Sequence, residues 1–513
     1  MPVTSPTRLH DLIAAAAAAV PERPAVVVPD GPSVTFAEFD RRITEIAEWV
    51  GRRSRPGDRI AVIADNGLDY AGLYYGVPRG GRVLALINQR LSAEEQLGQL
   101  AVVDPAVVLG DAKYLSALGA GTDRRLIAFD DAEWSDSAPA AEDDGANNDD
   151  ANTDDANTDD ANTDDAAWLL FTTGSTGAPK GVVHSHRSLL AAVSGTVAGR
   201  AVAPGGVYLL PFPMCHIAGY NLLVQHAVQA TVLPVAAYRP ESFAAVVDRH
   251  GVTSCSLAPT MLHSLLEYLE RTGATLPTLR DIAYGSAAIP ADLLRRAMRQ
   301  LDAGFHQGYG MTETGGNLAF LGPDEHRAGA QDQPSILAST GRPHPGVEVR
   351  LGDDGEILVR GPQVAPRSWP ADQPLTVDGW LHTGDVGRFD EAGRLVVVDR
   401  LKDVIITGGE NVSSREVEDV LSTHPAVEHV AVVGVPDPHW GEAVCAVVVT
   451  RSEEDPAALI EHVRARLAGF KRPRHVLFRT ALPLTTNGKV DKAAVRRYAR
   501  ESLSTTEISS PNS

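Results

Sequence analysis

From Pro24 onward the chain alternates short apolar runs, such as PAVVVP, RIAVIAD and RVLALIN, with stretches of helical periodicity such as FAEFDRRITEIAEWV (Phe36 to Val50). Strand-length runs separated by amphipathic helices predict α/β layering. GVYLLPFP, QATVLPV, VTSCSLAP and DIAYGSAAIP continue the texture, which shifts after Asp399. There KDVIITGG, a helix over REVEDVLSTH, the strands HVAVVGV and AVCAVVV and a helix over ALIEHVRARLAGF predict a small α+β domain at 400–500. Residues 501–513 are polar and expected to fray. At roughly 150 residues per domain, 513 residues allow two to four domains.

The alternation is interrupted by ANNDD, ANTDD, ANTDD, ANTDD over 146–165, a tandem repeat with no apolar side chain larger than Ala. Such a segment buries too little surface to offset its ordering entropy, so it is expected to be a solvated linker. A calcium loop needs spaced ligands with a turn glycine and a closing Glu, and the repeat has neither. Fifteen acidic residues between Asp130 and Asp165 account for most of the net charge of −20. The remainder is only mildly acidic and has no basic block to neutralise phosphates, which excludes nucleic acid and anionic membrane as expected partners. Cys215, Cys255 and Cys445 are few, distant and odd in number, which fits a reducing compartment and a cytoplasmic protein. The run Leu12 to Val20 is preceded by Asp11 and followed by Pro21-Glu22-Arg23-Pro24, so it reads as a surface helix and not as a signal peptide.

The stretch after the repeat, WLLFTTGSTGAPKGVVHSHRSLL, reads as a buried strand, a Gly/Ser/Thr loop and a helix. Glycines let backbone N–H groups approach an anion, hydroxyls add donors and Lys180 adds charge, so FTTGSTGAPKGV is a candidate phosphate cradle. The GxxxxGK[ST] spacing of the common P-loop is missing. Seven further stretches follow: PMCHIAG, YGSAAIP, GYGMTET, GEILVRGP, GWLHTGD, DRLKDVIITGGENV and TTNGKVDK. Together the eight resemble the adenylate-forming superfamily of acyl-CoA synthetases, peptide-synthetase adenylation domains and luciferases, over about residues 6–497.

The resemblance implies a large α/β, multi-subdomain N-terminal adenylation domain at 1–399, interrupted by the acidic insert at about 137–165, and a small mobile C-terminal domain at 400–500. It implies ATP phosphates on Thr172, Thr173, Gly174, Ser175, Thr176, Gly177 and Lys180. Adenine would lie against Tyr309, near Gly285, Ser286 and Ala287, with Gln307 reading its amine and Gly308, Gly310 and Met311 beside it. Thr312 would touch phosphate, Glu313 would hold Mg²⁺, and Asp385 would take the ribose hydroxyls with Arg400 beside it. Lys489 matches the catalytic lysine, where one ammonium offsets the charge that builds as a carboxylate attacks the α-phosphate. Lys402 maps to a hinge that alternates Lys489 with Gly408-Gly409-Glu410 at the acyl site, and His216 to a gate beside the pantetheine tunnel.

Outside that resemblance, Asp385 would be a turn cap, His216 a satisfied core histidine and Lys489 a solvent-facing lysine. The implied reaction converts an acid and ATP to acyl-AMP and pyrophosphate, then a thioester of coenzyme A and AMP. An acyl-AMP ligase serving a carrier protein or another nucleophile is the alternative, and a nucleotide-binding pseudoenzyme the remote one. The acyl pocket is expected at Asn221, His226, Gly310, Gly315 and Gly316, with Asn317 nearby. Small residues leave space at the carboxyl end while amides and imidazole meet a polar substituent, which favours an aryl or medium-length acid. A homodimer stays open. Three departures stand out: VAPRSWPADQP after the RGP motif is short and Pro-rich, Ser413-Ser414 replaces an aromatic-Pro pair, and the ANTDD repeat is inserted just before the phosphate loop.

Overall fold

The computed structural model describes residues 6–135, 162–172, 179–285, 289, 291–331, 333–485 and 489–508, and every count below refers to these. By contacts the chain divides into two compact units, one of residues 1–348 and 359–381, the other of 349–358 and 382–513. The division falls earlier than the change of texture after Asp399, because the strand Leu395–Arg400 pairs with the preceding Trp380–Phe389.

The first unit holds two mixed sheets. One runs, in spatial order, Arg342–Pro343, Gly316–Leu321, Gly304–Met311, Asp281–Gly285, Ser254–Leu257, Val207–Leu210, Thr231–Pro234, Pro24–Val27, Ser33–Thr35. Its six middle strands are parallel, as expected of strands joined by crossover helices. The other runs Arg367–Trp369, Lys180–Ser185, Ala166–Thr172, Val83–Leu86, Arg59–Ile63, Val107–Gly110, Leu126–Ala128. One core draws on both sheets, through Tyr208 and Val232 of the first and Val62, Leu86 and Trp168 of the second.

The helix Phe36–Gly51 starts at a capping box: the Thr35 hydroxyl accepts from Glu38 N–H and the Glu38 carboxylate accepts from Thr35 N–H. Phe36, Phe39, Ile43, Ile46, Trp49 and Val50 recur at helical spacing and are all buried. A Cβ on Gly76 of the helix Leu68–Arg79 would lie 2.5 Å from Ile46, so the absence of a side chain there lets the two helices close. The helix Asp11–Ala19 buries Leu12, Ile13 and Ala16 and exposes other positions, the surface helix expected from its sequence. Among the described residues no helix is long and apolar enough to cross a membrane.

The second unit contains the sheet Glu410–Val412, Ile405–Thr407, Gly441–Thr450, Val427–Asp437, with His475–Phe478 pairing Gly441–Thr450. Helices Ser414–Ser422, Pro456–Arg464 and Lys492–Ile508 pack around it. The last helix corrects the expectation that the chain frays from Glu501, since the helix runs on to Ile508.

Two corrections bear on the site. The loop after Thr172 does not lead into a helix: Lys180–Ser185 is a second strand, antiparallel to Ala166–Thr172 with Thr172 opposite Lys180. KGVVHS is rich in β-branched residues, and the helix begins only at His186, capped by Ser185, whose hydroxyl accepts from Ser188 N–H. The last repeat copy is also not merely solvated. Asp164 accepts from Arg187 at 2.5 and 2.9 Å, the Thr163 carbonyl accepts from Arg187 N–H, and the Asp165 carbonyl accepts from His186 N–H. The earlier copies lie outside the described residues. Deleting residues 146–160 is therefore expected to leave the melting temperature within about a degree, whereas extending the deletion through Asp165 lowers it by several degrees; thermal unfolding of both variants checks this.

Candidate functional site

In the first unit the ends of the candidate phosphate loop are fixed by pairing. Thr172 is half-buried and Lys180, opposite it, is exposed. Thr173, Gly174, Ser175, Thr176 and Gly177 lie outside the described residues, as do Ser286 and Ala287. The strands Asp281–Gly285 and Gly304–Met311 run parallel, Gly285 opposite Gly308, and Gly304–Met311 then pairs back with Gly316–Leu321. Between the latter two, Thr312–Thr314 forms one turn of 3-10 helix that carries Thr312 and Glu313 half-exposed. Tyr309, Gly310 and Met311 are likewise accessible at the strand end. Gln307 is buried, its Oε1 3.5 Å from the Tyr284 hydroxyl.

The glycines serve packing. A Cβ on Gly308 would meet the Asn317 amide at 2.4 Å, one on Gly310 the Gly316 carbonyl at 2.1 Å, and one on Gly316 the Tyr220 ring at 2.5 Å. Gly315 has φ +64° and neighbours Ala192, His184 and Gln363. A Cβ at 310 or 316 would thus collide with protein atoms, and one at 315 would stand 3.3 Å from Ala192 and His184, so packing as well as any acyl group calls for glycine here. The expectation of His226 in an acyl pocket is corrected. Its Nδ1 lies 2.8 Å from the Tyr75 hydroxyl and its Nε2 3.1 Å from the Ala25 carbonyl, among Phe36, Phe39 and Tyr75. Both ring nitrogens are committed inside the core. Asn221 is buried at the start of the helix Asn221–Ala227, its Nδ2 donating to the Ala218 carbonyl at 2.9 Å, and His216 is half-buried just upstream.

In the second unit the Arg400 guanidinium lies 2.7 Å from the Asp385 carboxylate, across the paired strands that place the two residues opposite each other. Lys489 sits within their electrostatic reach. Its side chain is exposed at the surface, yet desolvation and then Arg400 push its ammonium below a lysine's ordinary range, while Asp385 pulls it up. Its backbone is held by the Thr485 N–H, which donates to the Lys489 carbonyl at 2.7 Å. Lys402 is exposed in the short turn Leu401–Asp403, and the following Asp403 is tied to Arg496 at 3.1 Å.

The Ser413-Ser414 pair has a defined use there. Asp399 Oδ2 accepts from Ser413 Oγ, Ser414 N–H and Ser414 Oγ at 3.1, 2.6 and 2.8 Å, and Ser414 Oγ accepts from Lys492 at 2.5 Å. The Ser414 hydroxyl thereby joins the residue before Arg400 to the helix that follows Lys489. Gly408 and Gly409 have φ +62° and +84° and link Ile405–Thr407 to Glu410–Val412 with Thr407 opposite Glu410, a two-residue turn that only small residues adopt readily. The Trp440 ring packs on Gly408, and Arg474 stacks 4.2 Å from the ring centroid.

Two family models match the chain: AMP-binding enzyme over residues 13–369 and AMP-binding enzyme C-terminal domain over 416–489. The chain is an AMP-binding enzyme of the adenylate-forming superfamily. It is 34% identical to a feruloyl-CoA synthase from an Amycolatopsis species, covering 91% of this chain and 94% of that one. It is 30% identical to ScoC, a fatty acid–[acyl-carrier-protein] ligase of Streptomyces coeruleorubidus, over 93% of each. The structure of the amide bond synthetase McbA from Marinactinospora thermotolerans superposes with a TM-score of 0.81 at 29% identity, covering 96% of this chain and 99% of that one.

Sequence reasoning passed over two residues of this AMP-binding enzyme, His184 and Gln363, that hold the Thr312–Thr314 turn. The available signal was a histidine at a buried position of the apolar run GVVHS. The enzyme keeps several histidines neutral: burial pushes His184, His226 and His326 from 6.5 down to about 4. The unfolded chain takes up protons below about 6.5 while the folded one does not, so their contribution is intact above that pH and lost as pH falls toward 4. The melting temperature is expected to drop steadily from pH 6.5 to 4, and less steeply in His226→Gln, as read by thermal unfolding across that range.

Proposed function

We propose that this AMP-binding enzyme is an ATP-dependent acyl-CoA synthetase acting on an aryl or medium-length carboxylic acid. In the first step a carboxylate oxygen attacks the α-phosphorus of ATP and the bond to pyrophosphate breaks, giving acyl-AMP. In the second the thiolate of coenzyme A attacks the acyl carbon and AMP leaves as its phosphate takes back the bonding pair. The observation that carries the reading is the grouping of Lys489, Arg400 and Asp385 in one unit, a cation beside a carboxylate suited to ribose hydroxyls. Coenzyme A as acceptor is supported by the likeness to a feruloyl-CoA synthase, which also favours an aryl acid.

Thr312 and Glu313 are accessible side chains on a turn whose carbonyls are largely engaged within the protein, and a hydroxyl beside a carboxylate fits a hard divalent cation. Among the described residues no cluster of three His, Cys, Asp or Glu could hold a metal alone, so Glu313 would hold Mg²⁺ together with ATP phosphates. The bound ion would neutralise triphosphate charge. Lys489 supplies the protein's own cation to the first step, and alternation about Lys402 withdraws it and presents the Gly408-Gly409-Glu410 turn for the second. Trp440, 37% exposed under Arg474, offers a ring and a cation to the nucleotide end of coenzyme A. Cys215, Cys255 and Cys445 are free and buried, in keeping with a cytoplasmic enzyme.

The likeness to ScoC and to an amide bond synthetase favours a second reading, in which a carrier protein or an amine receives the acyl group. Mass spectrometry of reactions with ATP, Mg²⁺ and a panel of aryl, short, medium and long acids, with and without coenzyme A, separates the two. Acyl-CoA and AMP formed together support the synthetase; acyl-AMP that accumulates despite coenzyme A supports the other acceptor.

Lys489→Ala is expected to lower acyl-AMP formation at least a hundredfold while sparing transfer from synthetic acyl-AMP to coenzyme A, and equal loss in both half-reactions would refute the alternation. Trp440→Ala is expected to raise KM for coenzyme A about tenfold with acyl-AMP formation unchanged, measured by initial rates of each half-reaction.

A further inference from the structure

The turn Thr312–Thr314 is too short to hold its own shape, yet it carries the two side chains assigned above to phosphate and metal. Its carbonyls show how it is fixed. That of Thr312 accepts from His184 Nε2 at 2.7 Å, that of Glu313 from Ala365 N–H at 2.8 Å and that of Thr314 from Gln363 Nε2 at 2.9 Å. The Thr314 hydroxyl is shared between the Met311 and Gly316 carbonyls at 3.0 and 2.7 Å. Two of these donors come from the segment 363–365. The third, His184, comes from the strand Lys180–Ser185.

That origin matters. Lys180 opens the strand at the end of the phosphate loop, and His184 stands four residues further on, on the same face by the period of two. The imidazole is fully buried on a strand whose preceding residues, Gly181 to Val183, are apolar. Its Nδ1 lies 3.0 Å from the Ser188 hydroxyl. A carbonyl at Nε2 can only accept, so Nε2 carries the proton and Nδ1 accepts from Ser188. Nothing about the ring suggests proton transfer: it is neutral, held in one tautomer and shielded from solvent. A buried polar ring so arranged has a positional use.

We propose that His184 is a positioning residue that ties the strand closing the phosphate loop to the Thr312–Glu313 turn, and so sets where that turn stands relative to the phosphates of bound ATP. The proposal rests on the assignment of Thr312 and Glu313 given above. Leucine at this site fills similar volume but donates nothing, leaving one bond to the Thr312 carbonyl, from Gly315 N–H at 3.1 Å. Glutamine restores an N–H at comparable reach.

The test compares wild type, His184→Leu, His184→Gln and Ser188→Ala. MgATP binding is measured by calorimetry without acid, pyrophosphate release with the best acid of the panel, and transfer from synthetic acyl-AMP to coenzyme A. His184→Leu is expected to bind MgATP about tenfold more weakly and to raise KM for MgATP by a similar factor, with transfer unchanged, as loss of one buried hydrogen bond implies. His184→Gln is expected to recover to within about threefold of wild type. Ser188→Ala, which removes the hydroxyl that steadies the ring at Nδ1, is expected to shift binding in the same direction by a smaller factor, and it carries the test together with His184→Gln should the leucine variant fail to fold.

A leucine variant, or a serine variant in its place, with a lowered melting temperature but wild-type MgATP binding and pyrophosphate release overturns the proposal, as does equal loss in both half-reactions. Failure of the wild type itself to bind MgATP would instead sink the underlying assignment of Thr312 and Glu313.

Discussion

The antiparallel pairing of Ala166–Thr172 with Lys180–Ser185 governs the candidate site of the first unit. It sets Thr172 and Lys180, the two described ends of the Gly/Ser/Thr stretch, opposite each other on hydrogen-bonded backbone. The same strand delivers His184 to the Thr312–Thr314 turn and Ser185 to the start of the following helix. A slip of one residue in this register would turn Lys180 and His184 to the opposite face and Val183 into the turn's place. The apolar partners on the neighbouring strand, Leu169 and Leu170 opposite Val183 and Val182, hold the register against that slip.

A second constraint is the close approach of Gly304–Met311 to Gly316–Leu321. Side chains at 308 and 310 would collide with the Asn317 amide and the Gly316 carbonyl, so these glycines are required by the sheet before any ligand is considered. A Gly-rich stretch can therefore serve the sheet as well as a ligand. In sequence, GYGMTETGG shows small residues beside chemistry-bearing ones, and smallness reads equally well as room for a ligand or room for a strand. The Tyr220 ring against Gly316 shows the second use.

The α/β texture, the smaller α+β region, the surface helix at the N-terminus and the helix Phe36–Gly51 were all legible, because each rests on periodicity or a capping pair that neighbouring residues encode. The pairing of Lys180–Ser185 was not, since its partner strand is set by register across the intervening stretch, and the N-cap serine at 185 that marks the helix start was overlooked. His226 was misjudged for a related reason. Burial of a histidine depends on Tyr75 and Ala25, more than a hundred residues away, which no local pattern discloses. The use of Ser413 and Ser414 was equally hidden, although their departure from the usual pair marked the place.

The grip of the fold on the acidic repeat has a consequence for how such a chain changes over generations. Tandem copies of a five-residue unit are gained and lost by slippage during replication far more readily than unique sequence. Here the first two residues of the helix beginning at His186 are bonded to Thr163, Asp164 and Asp165, all in the final copy. Copies added or lost before Asn162 leave those contacts as they are, so repeat number can drift between close relatives while the last unit is retained.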